Sequence, residues 1–378
     1  MSMLKTNAET TSTQPGLDPA DSETAVVFRG DGEPDSPRRL LERLDEIDSG
    51  PGFESDSYSL GGSIAALECY FADTLGKEAA IFMPTGTLAN HLAIRALCDG
   101  KPRAIVQEQS HLYHDSGDCV QRLSNINLIP LAKGRPGFTL EELKEAVSES
   151  VSGRVVSPVG AMMVESPVRR QQGQTVPYQD MKAMTDYCRS QDIRTHLDGA
   201  RLYMMSAASG ISPREYAVLF DTVYVSMYKY FGAPFGAILA GDSRWIDGMY
   251  HTRRMFGGGL SHSYMAAALA LQGAQGFEER FQAAMEKGRS LFKELNDLDG
   301  IQINEFRHGS NIFPLVLDSS INSDAVIDAL RCRDIHAYAP ENPKAGFTLT
   351  INTTILRQPN ETILAAFEQA LQKSRPSR

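Results

Sequence analysis

The chain has 378 residues, of which 42% are hydrophobic, and it carries a formal net charge of −10. This length predicts one enzyme-sized subunit with a major and a smaller domain, and no apolar run is long enough to suggest a membrane span. The negative charge disfavours nucleic acids and anionic membranes as partners.

The first 24 residues are rich in Ser, Thr, Asp and Pro and poor in large apolar side chains, so we expect a disordered arm. No positively charged start leads into an apolar stretch, as a signal peptide would require. The five cysteines are scattered, odd in number and without the spacing of metal ligands. They indicate reduced thiols in a cytoplasmic protein that binds no metal.

Helical and strand patterns alternate after the arm. Apolar residues at helical spacing predict helices over residues 37–47 and 63–75, and an apolar run predicts a strand over 79–83. Pro84-Thr-Gly-Thr87 then opens another helix. Further strands are predicted at 104–107, 161–164, 195–197, 223–226 and 236–239, with helical patterns between most of them. This alternation predicts an α/β fold with a mainly parallel sheet covered by helices on both faces.

A different pattern begins near residue 264. One long helix is predicted from 264 to 278 and onward. It is followed by predicted strands at 301–305, 311–316 and 347–351 and by predicted helices at 323–331 and 361–373. We therefore expect a large domain over residues 25–265 and a smaller α+β domain over 266–378, with the boundary inside the linking helix.

Two consecutive apolar runs end in residues that carry chemistry. The first ends in His196-Leu-Asp-Gly-Ala-Arg201, and the second leads to Lys229, which has aromatic neighbours. Alone, an Asp-Gly pair is usually a turn and such a lysine is usually a strand end. Together they fall where open α/β sheets collect catalytic groups. A partly desolvated lysine can form a Schiff base, and a carboxylate can keep a pyridine nitrogen protonated, so the pair predicts pyridoxal 5'-phosphate (PLP) chemistry.

Thr85-Gly86-Thr87 is a candidate phosphate site. It follows a predicted strand and begins a helix, so its backbone N–H groups would face an anion at the positive end of the helix. The alternative is an ordinary helix N-cap with a glycine turn. The position of the segment, beside the predicted PLP site, favours the phosphate interpretation.

These residues resemble the threonine aldolase group of the fold-type-I PLP-dependent enzymes, within the aromatic amino acid beta-eliminating lyase superfamily. The resemblance runs from about Arg29 to the C-terminus. It rests on Asp56-Ser-Tyr58, Gly76-Lys-Glu-Ala-Ala80, Pro84-Thr-Gly-Thr-Leu-Ala-Asn90, Ser110-His-Leu-Tyr113, His196-Leu-Asp-Gly-Ala-Arg201, the segment around Lys229 and Phe256-Gly-Gly-Gly259.

The resemblance implies a role for each matching position at the cofactor. Lys229 would bind PLP covalently and then act as a base, and Asp198 would pair with the pyridine nitrogen. His111 would stack on the ring and assist proton transfer. Gly86 and Thr87 would hold the phosphate.

The resemblance also implies how the substrate is bound. Arg201 would hold the carboxylate of a small amino acid substrate, and Tyr58 would reach into the active site of a neighbouring subunit and take part in catalysis there. The site would therefore be shared in a homodimer or homotetramer.

Several positions depart from the pattern of this family. Arg29-Gly30-Asp31-Gly32 replaces Arg-Ser-Asp-Thr, and Ser166-Pro-Val168 stands where a histidine usually follows the strand of Glu165. Leu260, Ser261 and His262 stand where an arginine is usual after the triple glycine. A C-terminal arginine of the family aligns with about Thr348, with Arg357 close but out of register. Because carboxylate contacts are lost while the cofactor residues persist, we expect retained PLP chemistry on an altered substrate.

The leading hypothesis is a PLP-dependent lyase that cleaves a β-hydroxy-α-amino acid by retro-aldol C–C cleavage. A PLP-dependent β-eliminating lyase or dehydratase uses the same cofactor residues and is the first alternative. A non-catalytic binding subunit with a PLP-type fold is the second, and the intact Asp198 and Lys229 disfavour it.

Overall fold

The computed structural model describes residues 18–340 and 346–375. Most of the expected disordered arm, residues 1–17, lies outside these ranges. The rest of the arm packs against the C-terminal part of the chain. Ala20 is buried, and the hydroxyl groups of Ser22 and Thr24 both donate to Asp334 Oδ2, at 2.6 Å for Thr24.

Twelve strands occur in the described ranges. They are β1 (Val26–Val27), β2 (Ala79–Met83), β3 (Arg103–Gln107), β4 (Asn127–Leu131), β5 (Val159–Glu165), β6 (Arg194–Asp198), β7 (Thr222–Ser226), β8 (Ala237–Gly241), β9 (Ile301–Ile303), β10 (Ile312–Leu317), β11 (Ile335–His336) and β12 (Phe347–Thr350).

Fifteen α-helices accompany these strands in the same part of the chain. They are α1 (Pro37–Ser49), α2 (Gly62–Leu75), α3 (Gly86–Cys98), α4 (His111–His114), α5 (Cys119–Ser124), α6 (Leu140–Ser152), α7 (Tyr178–Ser190), α8 (Leu202–Ser209), α9 (Pro213–Ala217), α10 (Ser243–Ile246), α11 (Met249–Met255), α12 (Tyr264–Ala274), α13 (Phe277–Leu295), α14 (Ser323–Arg331) and α15 (Asn360–Lys373).

A seven-stranded sheet forms the centre of the molecule. Its strand order is β2-β8-β7-β6-β5-β3-β4. β8 runs in the direction opposite to the other six strands. Every residue of β5 and β7 is buried, because helices cover both faces of the sheet. The α/β fold with a mainly parallel sheet is therefore confirmed.

Two smaller sheets lie in the C-terminal part of the chain. One is antiparallel with the order β12-β10-β9, and the other pairs β1 with β11 in parallel. Val26 and Val27 thus pair with Ile335 and His336, so the segment that leads into the large sheet is itself held by the C-terminal part of the chain.

The prediction of one long helix from residue 264 onward is wrong. The structure has two helices, α12 and α13, because Gln275 is extended and Gly276 takes a left-handed φ of 63°. The apolar periodicity continues across this break, which is why the pattern suggested a single helix. The break turns Phe277 towards an aromatic cluster, where its ring centroid lies 5.3 Å from that of Tyr230 and 5.0 Å from that of Phe231.

Within the described ranges no helix is long and apolar enough to cross a membrane.

Candidate active site

A cavity of about 660 Å³ opens at the carboxyl ends of the central strands. β5 ends at Glu165 and β6 at Asp198, and the chain after β7 leads to Lys229. The cavity is lined by Pro84, Thr85, Gly86, Thr87, His111, Glu165, Arg169, Asp198, Ala200, Arg201, Tyr224, Tyr228, Lys229, Pro234 and Phe235. Six residues expected at the site from the sequence are in this lining: Gly86, Thr87, His111, Asp198, Arg201 and Lys229.

The N-terminus of α3 forms one wall of the cavity. The Thr85 side chain caps the helix by accepting a hydrogen bond from the N–H of Leu88 at 3.1 Å. A Cβ at Gly86 would lie only 2.0 Å from the hydroxyl oxygen of Tyr224, which is buried. Glycine is therefore required at position 86, and the free N–H groups of the first turn face the cavity as an anion site.

Asp198 is held firmly at the end of β6. It is 2% exposed. Its Oδ2 accepts a hydrogen bond from Asn90 Nδ2 at 2.6 Å, and its Oδ1 accepts one from the N–H of Ala200 at 3.1 Å. These two donors fix the orientation of the carboxylate.

Lys229 is half-buried and reaches the cavity from the loop after β7. Its Nζ donates to the Tyr228 hydroxyl at 3.1 Å and lies 4.6 Å from the centroid of that ring. The N-terminal segment supports this loop, since a Cβ at Gly32 would lie 2.6 Å from Tyr230 Cα and 2.8 Å from the Lys229 carbonyl oxygen. The Gly32 departure from the family pattern therefore permits a close backbone contact beside the lysine.

Arg201 forms an ion pair inside the cavity wall. Its Nε donates to Asp31 Oδ2 at 2.7 Å, and the two side chains are 15% and 10% exposed. Burial lowers the pKa of the Arg201 guanidinium, but the nearby carboxylates of Asp31 and Glu165 outweigh it and raise the pKa overall. Because Asp31 occupies only Nε, the other guanidinium N–H groups remain for a second anion.

Glu165 was not assigned a role from the sequence, yet it organises one side of the cavity. Its carboxylate accepts hydrogen bonds from the N–H groups of His111 at 2.5 Å and Arg169 at 3.0 Å. Burial, and then the neighbouring Asp198, raise its pKa. The contact places the His111 ring at the cavity, where Nδ1 lies 3.2 Å from Ser116 Oγ. The only signal for Glu165 in the sequence is that it directly follows the predicted strand over residues 161–164.

The arginines that were alternatives for carboxylate binding differ in their surroundings. Arg357 is engaged elsewhere, with Glu33 and with the carbonyl oxygens of Ser22 and Ala25. Arg170 pairs with Asp115 at 3.2 Å. Arg169 is exposed and lines the cavity.

Two further positions among the departures lie outside the cavity lining. Thr348 lies on β12, and Val168, in the segment where a histidine is expected from the resemblance, is buried.

Tyr58 lies outside this cavity. Its side chain is exposed, and its ring centroid lies 4.0 Å from Arg254 Cζ. The fully buried Arg253, which the sequence analysis did not single out, donates to the carbonyl oxygen of Ser59 at 2.9 Å and also to that of Phe82. The loop that carries Tyr58 is thus held in place, with the half-exposed tyrosine ring against Arg254.

The donors and acceptors of the cavity fit PLP. A helix N-terminus with a glycine suits the phosphate, the buried carboxylate of Asp198 suits a protonated pyridine nitrogen, and the amine of Lys229 suits the aldehyde. Tyr224 beneath Gly86 is a further cavity residue that the sequence analysis missed. No group of three or more His, Cys, Asp or Glu side chains that could hold a metal occurs in residues 18–340 and 346–375.

Comparisons with known proteins agree with this geometry. Residues 52–315 match the family described as Beta-eliminating lyase. A low-specificity L-threonine aldolase of Candida albicans is 30% identical over 223 residues, which is 58% of this chain and 59% of that enzyme. The chain therefore spans about three-fifths of the length of this curated relative.

Two solved structures resemble the chain over nearly its whole length. One, from Exiguobacterium sp. 255-15, is assigned to the aromatic amino acid beta-eliminating lyase/threonine aldolase group. It has a TM-score of 0.76 and 25% identity, covering 92% of this chain and 98% of that one. The other, from Listeria monocytogenes, is assigned as an L-allo-threonine aldolase. It has a TM-score of 0.73 and 28% identity, covering 92% and 97%.

Proposed function

The chain belongs to the beta-eliminating lyase family, and on this premise we propose that it is a PLP-dependent lyase that cleaves a β-hydroxy-α-amino acid into an aldehyde and an amino acid. The observation that carries the proposal is the meeting of Lys229, Asp198 and the N-terminus of α3 in one cavity. The named relatives, a threonine aldolase and an L-allo-threonine aldolase, support retro-aldol cleavage as the reaction.

PLP, when bound, supplies an electron-accepting ring that stabilises negative charge on the substrate Cα. The residues of this chain bind and orient it. The first turn of α3, with Gly86 and Thr87, would hold the phosphate, and Asp198 would pair with the ring nitrogen. Lys229 would bind the cofactor aldehyde through its amine and would also be able to accept a proton.

Substrate binding depends mainly on Arg201. Its guanidinium N–H groups that are not bound to Asp31 hold the substrate carboxylate, which orients the amino acid in the cavity. His111, which lines the cavity, would accept the proton of the substrate β-hydroxyl group when the Cα–Cβ bond breaks and the aldehyde forms. A proton returned to Cα would complete the amino acid product.

The substrate-binding residues differ from those usual in the family, and we propose that the substrate differs as well. Arg357 is engaged by Glu33, and Val168 replaces the usual histidine with a buried apolar side chain. Arg201 and the exposed Arg169 are the arginines in the cavity lining.

We also propose a homodimer or homotetramer in the cytoplasm. The exposed Tyr58, fixed by Arg253 and Arg254 outside its own cavity, supports a site completed by a second copy of the chain. All five cysteines are free, which fits a reducing compartment. The large domain over 25–265 and the smaller domain over 266–378 remain our proposed division.

The test of the proposed reaction is product analysis. Purified enzyme with PLP is given a panel of β-hydroxy and β-substituted amino acids, and aldehyde, amino acid, 2-oxo acid and ammonia are measured. Equal amounts of aldehyde and amino acid support retro-aldol cleavage. A 2-oxo acid with ammonia, and no aldehyde, would instead assign β-elimination or dehydration, and no product with any of these substrates would support a binding subunit.

A further inference from the structure

A line of buried polar side chains runs from Asp198 into the protein, away from the cavity. Asn90 Nδ2 donates to Asp198 Oδ2 at 2.6 Å, and Asn90 Oδ1 lies 2.9 Å from His196 Nε2. His196 Nδ1 then lies 2.8 Å from Thr222 Oγ1. All four residues are at most 2% exposed, and the proposed reaction assigns no role to the last three.

The fold places these side chains in one row. His196 and Asp198 are two residues apart on β6, so they lie on the same face of the sheet. Thr222 begins β7 and stands directly opposite His196 in the parallel pairing. α3, which carries Asn90 on its second turn, packs over this face of the sheet. The row therefore depends on the register of two strands and on one helix.

The positions of the protons in this row follow from the charge at its end. The amide N–H of Asn90 faces Asp198, because two oxygens at this distance would repel. Asn90 Oδ1 can only accept, so His196 Nε2 must carry a proton. Burial lowers the pKa of His196 to about 4, against the opposing influence of Asp198, so the ring is neutral and its Nδ1 accepts from the Thr222 hydroxyl.

Every hydrogen bond in the row therefore points towards Asp198. The direction runs from Thr222 to His196, from His196 to Asn90, and from Asn90 to the carboxylate. Aligned hydrogen bonds polarise one another, so each donor strengthens the next. The other ionisable side chains beside Asp198 are Glu165, Arg201 and Tyr224.

We propose that Asn90, His196 and Thr222 are positioning residues that hold the Asp198 carboxylate in the orientation in which it would face the ring nitrogen of the cofactor. This inference rests on the proposed function for the identity of the cofactor. In the opposite arrangement Asn90 would turn its oxygen towards Asp198 and donate to His196 Nε2. His196 would then carry its proton on Nδ1, so the tautomer of His196 reports the direction of the hydrogen bonds in the row.

The tautomer can be measured without any variant and without relying on catalysis. The enzyme is labelled with ¹⁵N-histidine, and two-bond ¹H–¹⁵N couplings are recorded with and without PLP between pH 6 and 8. We expect His196 to carry its proton on Nε2 in both forms throughout this range. A proton on Nδ1, or a ring that titrates in this range, would overturn the proposed row. Because the spectrum of the cofactor-free protein is included, this result stands even if the chain binds no PLP.

The function of the row is tested at its far end. Thr222→Val keeps the shape of the side chain but removes the hydroxyl donor. We expect it to weaken PLP binding, measured by fluorescence titration of the cofactor-free protein, by about 3- to 10-fold, the effect of losing one hydrogen bond. We also expect a mixture of His196 tautomers. Thr222→Ser restores the donor. It should return the PLP affinity to within about twofold of that of the wild type and return His196 to a single tautomer.

A matched control separates this effect from the general cost of altering a buried threonine. Thr185 on α7 is 1% exposed, and its hydroxyl donates to the carbonyl oxygen of Lys182, away from the row. Thr185→Val should leave PLP affinity and the His196 tautomer unchanged. Equal PLP affinity in the two valine variants would overturn the proposal. If Thr222→Val does not fold, the tautomer of His196 in the wild type decides the question.

Discussion

Arg201 Nε and Asp31 Oδ2 lie 2.7 Å apart, and this ion pair joins the N-terminal segment to the end of β6. The contact fixes the guanidinium at the cavity while leaving its other N–H groups available. Arg201 is thus held by one carboxylate in a position to bind another. The pair explains why Asp31 is retained in a segment where the neighbouring positions, Gly30 and Gly32, have changed.

The first prediction concerns this arginine. Arg201→Lys loses the two-pronged contact with a carboxylate, so KM should rise by about 10- to 100-fold. Melting temperature is measured on the same preparation, with Asp31→Asn as the matched control for loss of the ion pair. If both variants lose stability equally and neither changes KM, Arg201 is only structural and Arg169 becomes the candidate for the substrate carboxylate.

The second prediction concerns the phosphate site. In Gly86→Ala the new Cβ would lie 2.0 Å from Tyr224 Oη, so either α3 or the buried tyrosine must move. Such crowding costs about 1–3 kcal/mol, and we expect most of this loss to appear as weaker PLP binding in a titration. Gly153→Ala is the control, because its Cβ would meet its nearest neighbour at 3.5 Å. Equal PLP affinity in the two variants would contradict the assignment of this helix terminus.

The third prediction tests the shared site. Tyr58→Ala and Lys229→Ala should each be inactive, because one lacks the tyrosine and the other the lysine. If Tyr58 acts in the site of a second subunit, refolding the two variants together gives mixed dimers with one complete site, and activity should return to about a quarter of the wild type. A mixture no more active than its components would show that Tyr58 acts only within its own chain or not at all.

The fourth prediction concerns pH and stability. Burial raises the pKa of Glu68 to about 7, although the N–H of Phe82 and the charge of Arg253 oppose the shift. Between pH 4.5, the ordinary pKa of a glutamate, and a pH of about 7, the folded protein binds the Glu68 proton more tightly than the unfolded chain does. Stability should therefore fall as the pH rises through this window, by at most about 3 kcal/mol.

Glu68→Gln isolates this contribution, since the amide keeps an acceptor for Phe82 N–H but cannot ionise. Melting temperatures of the wild type and the variant are compared at pH 5 and pH 8. The variant should gain stability relative to the wild type at pH 8. The exposed Glu145→Gln serves as the control. A stability difference between wild type and Glu68→Gln that is independent of pH would disprove the raised pKa.

The sequence was sufficient to predict six of the seven strands of the central sheet and to place two candidate site residues at strand ends; the strand Asn127–Leu131 was not predicted. The strand Ala79–Met83 and the helix Ser323–Arg331 have their predicted bounds, because local apolar patterns define them. Asp198 and Lys229 were predicted from the ends of apolar runs, and both line the cavity. The residue at each strand end is a local property that one sequence can reveal.

Contacts between distant segments could not be predicted in this way. Asn90 reaches Asp198 only because α3 covers β6, and Tyr224 requires Gly86 only through packing of a helix terminus against a strand. The break at Gly276 was missed because apolar residues continue at helical spacing on both sides of it. These features depend on register and on packing, which alternating polarity does not determine.

The most direct test of the account is to locate the bound cofactor. Purified enzyme with PLP is reduced with borohydride, digested and mapped by mass spectrometry. Lys77 is an internal control, because burial lowers the pKa of this amine but its Nζ donates to the Phe220 carbonyl oxygen, away from the cavity lining. The account predicts one modified lysine, Lys229, and loss of the visible absorbance of the bound cofactor in Lys229→Ala. Modification of Lys77 or of many surface lysines, or unchanged absorbance in Lys229→Ala, would contradict it.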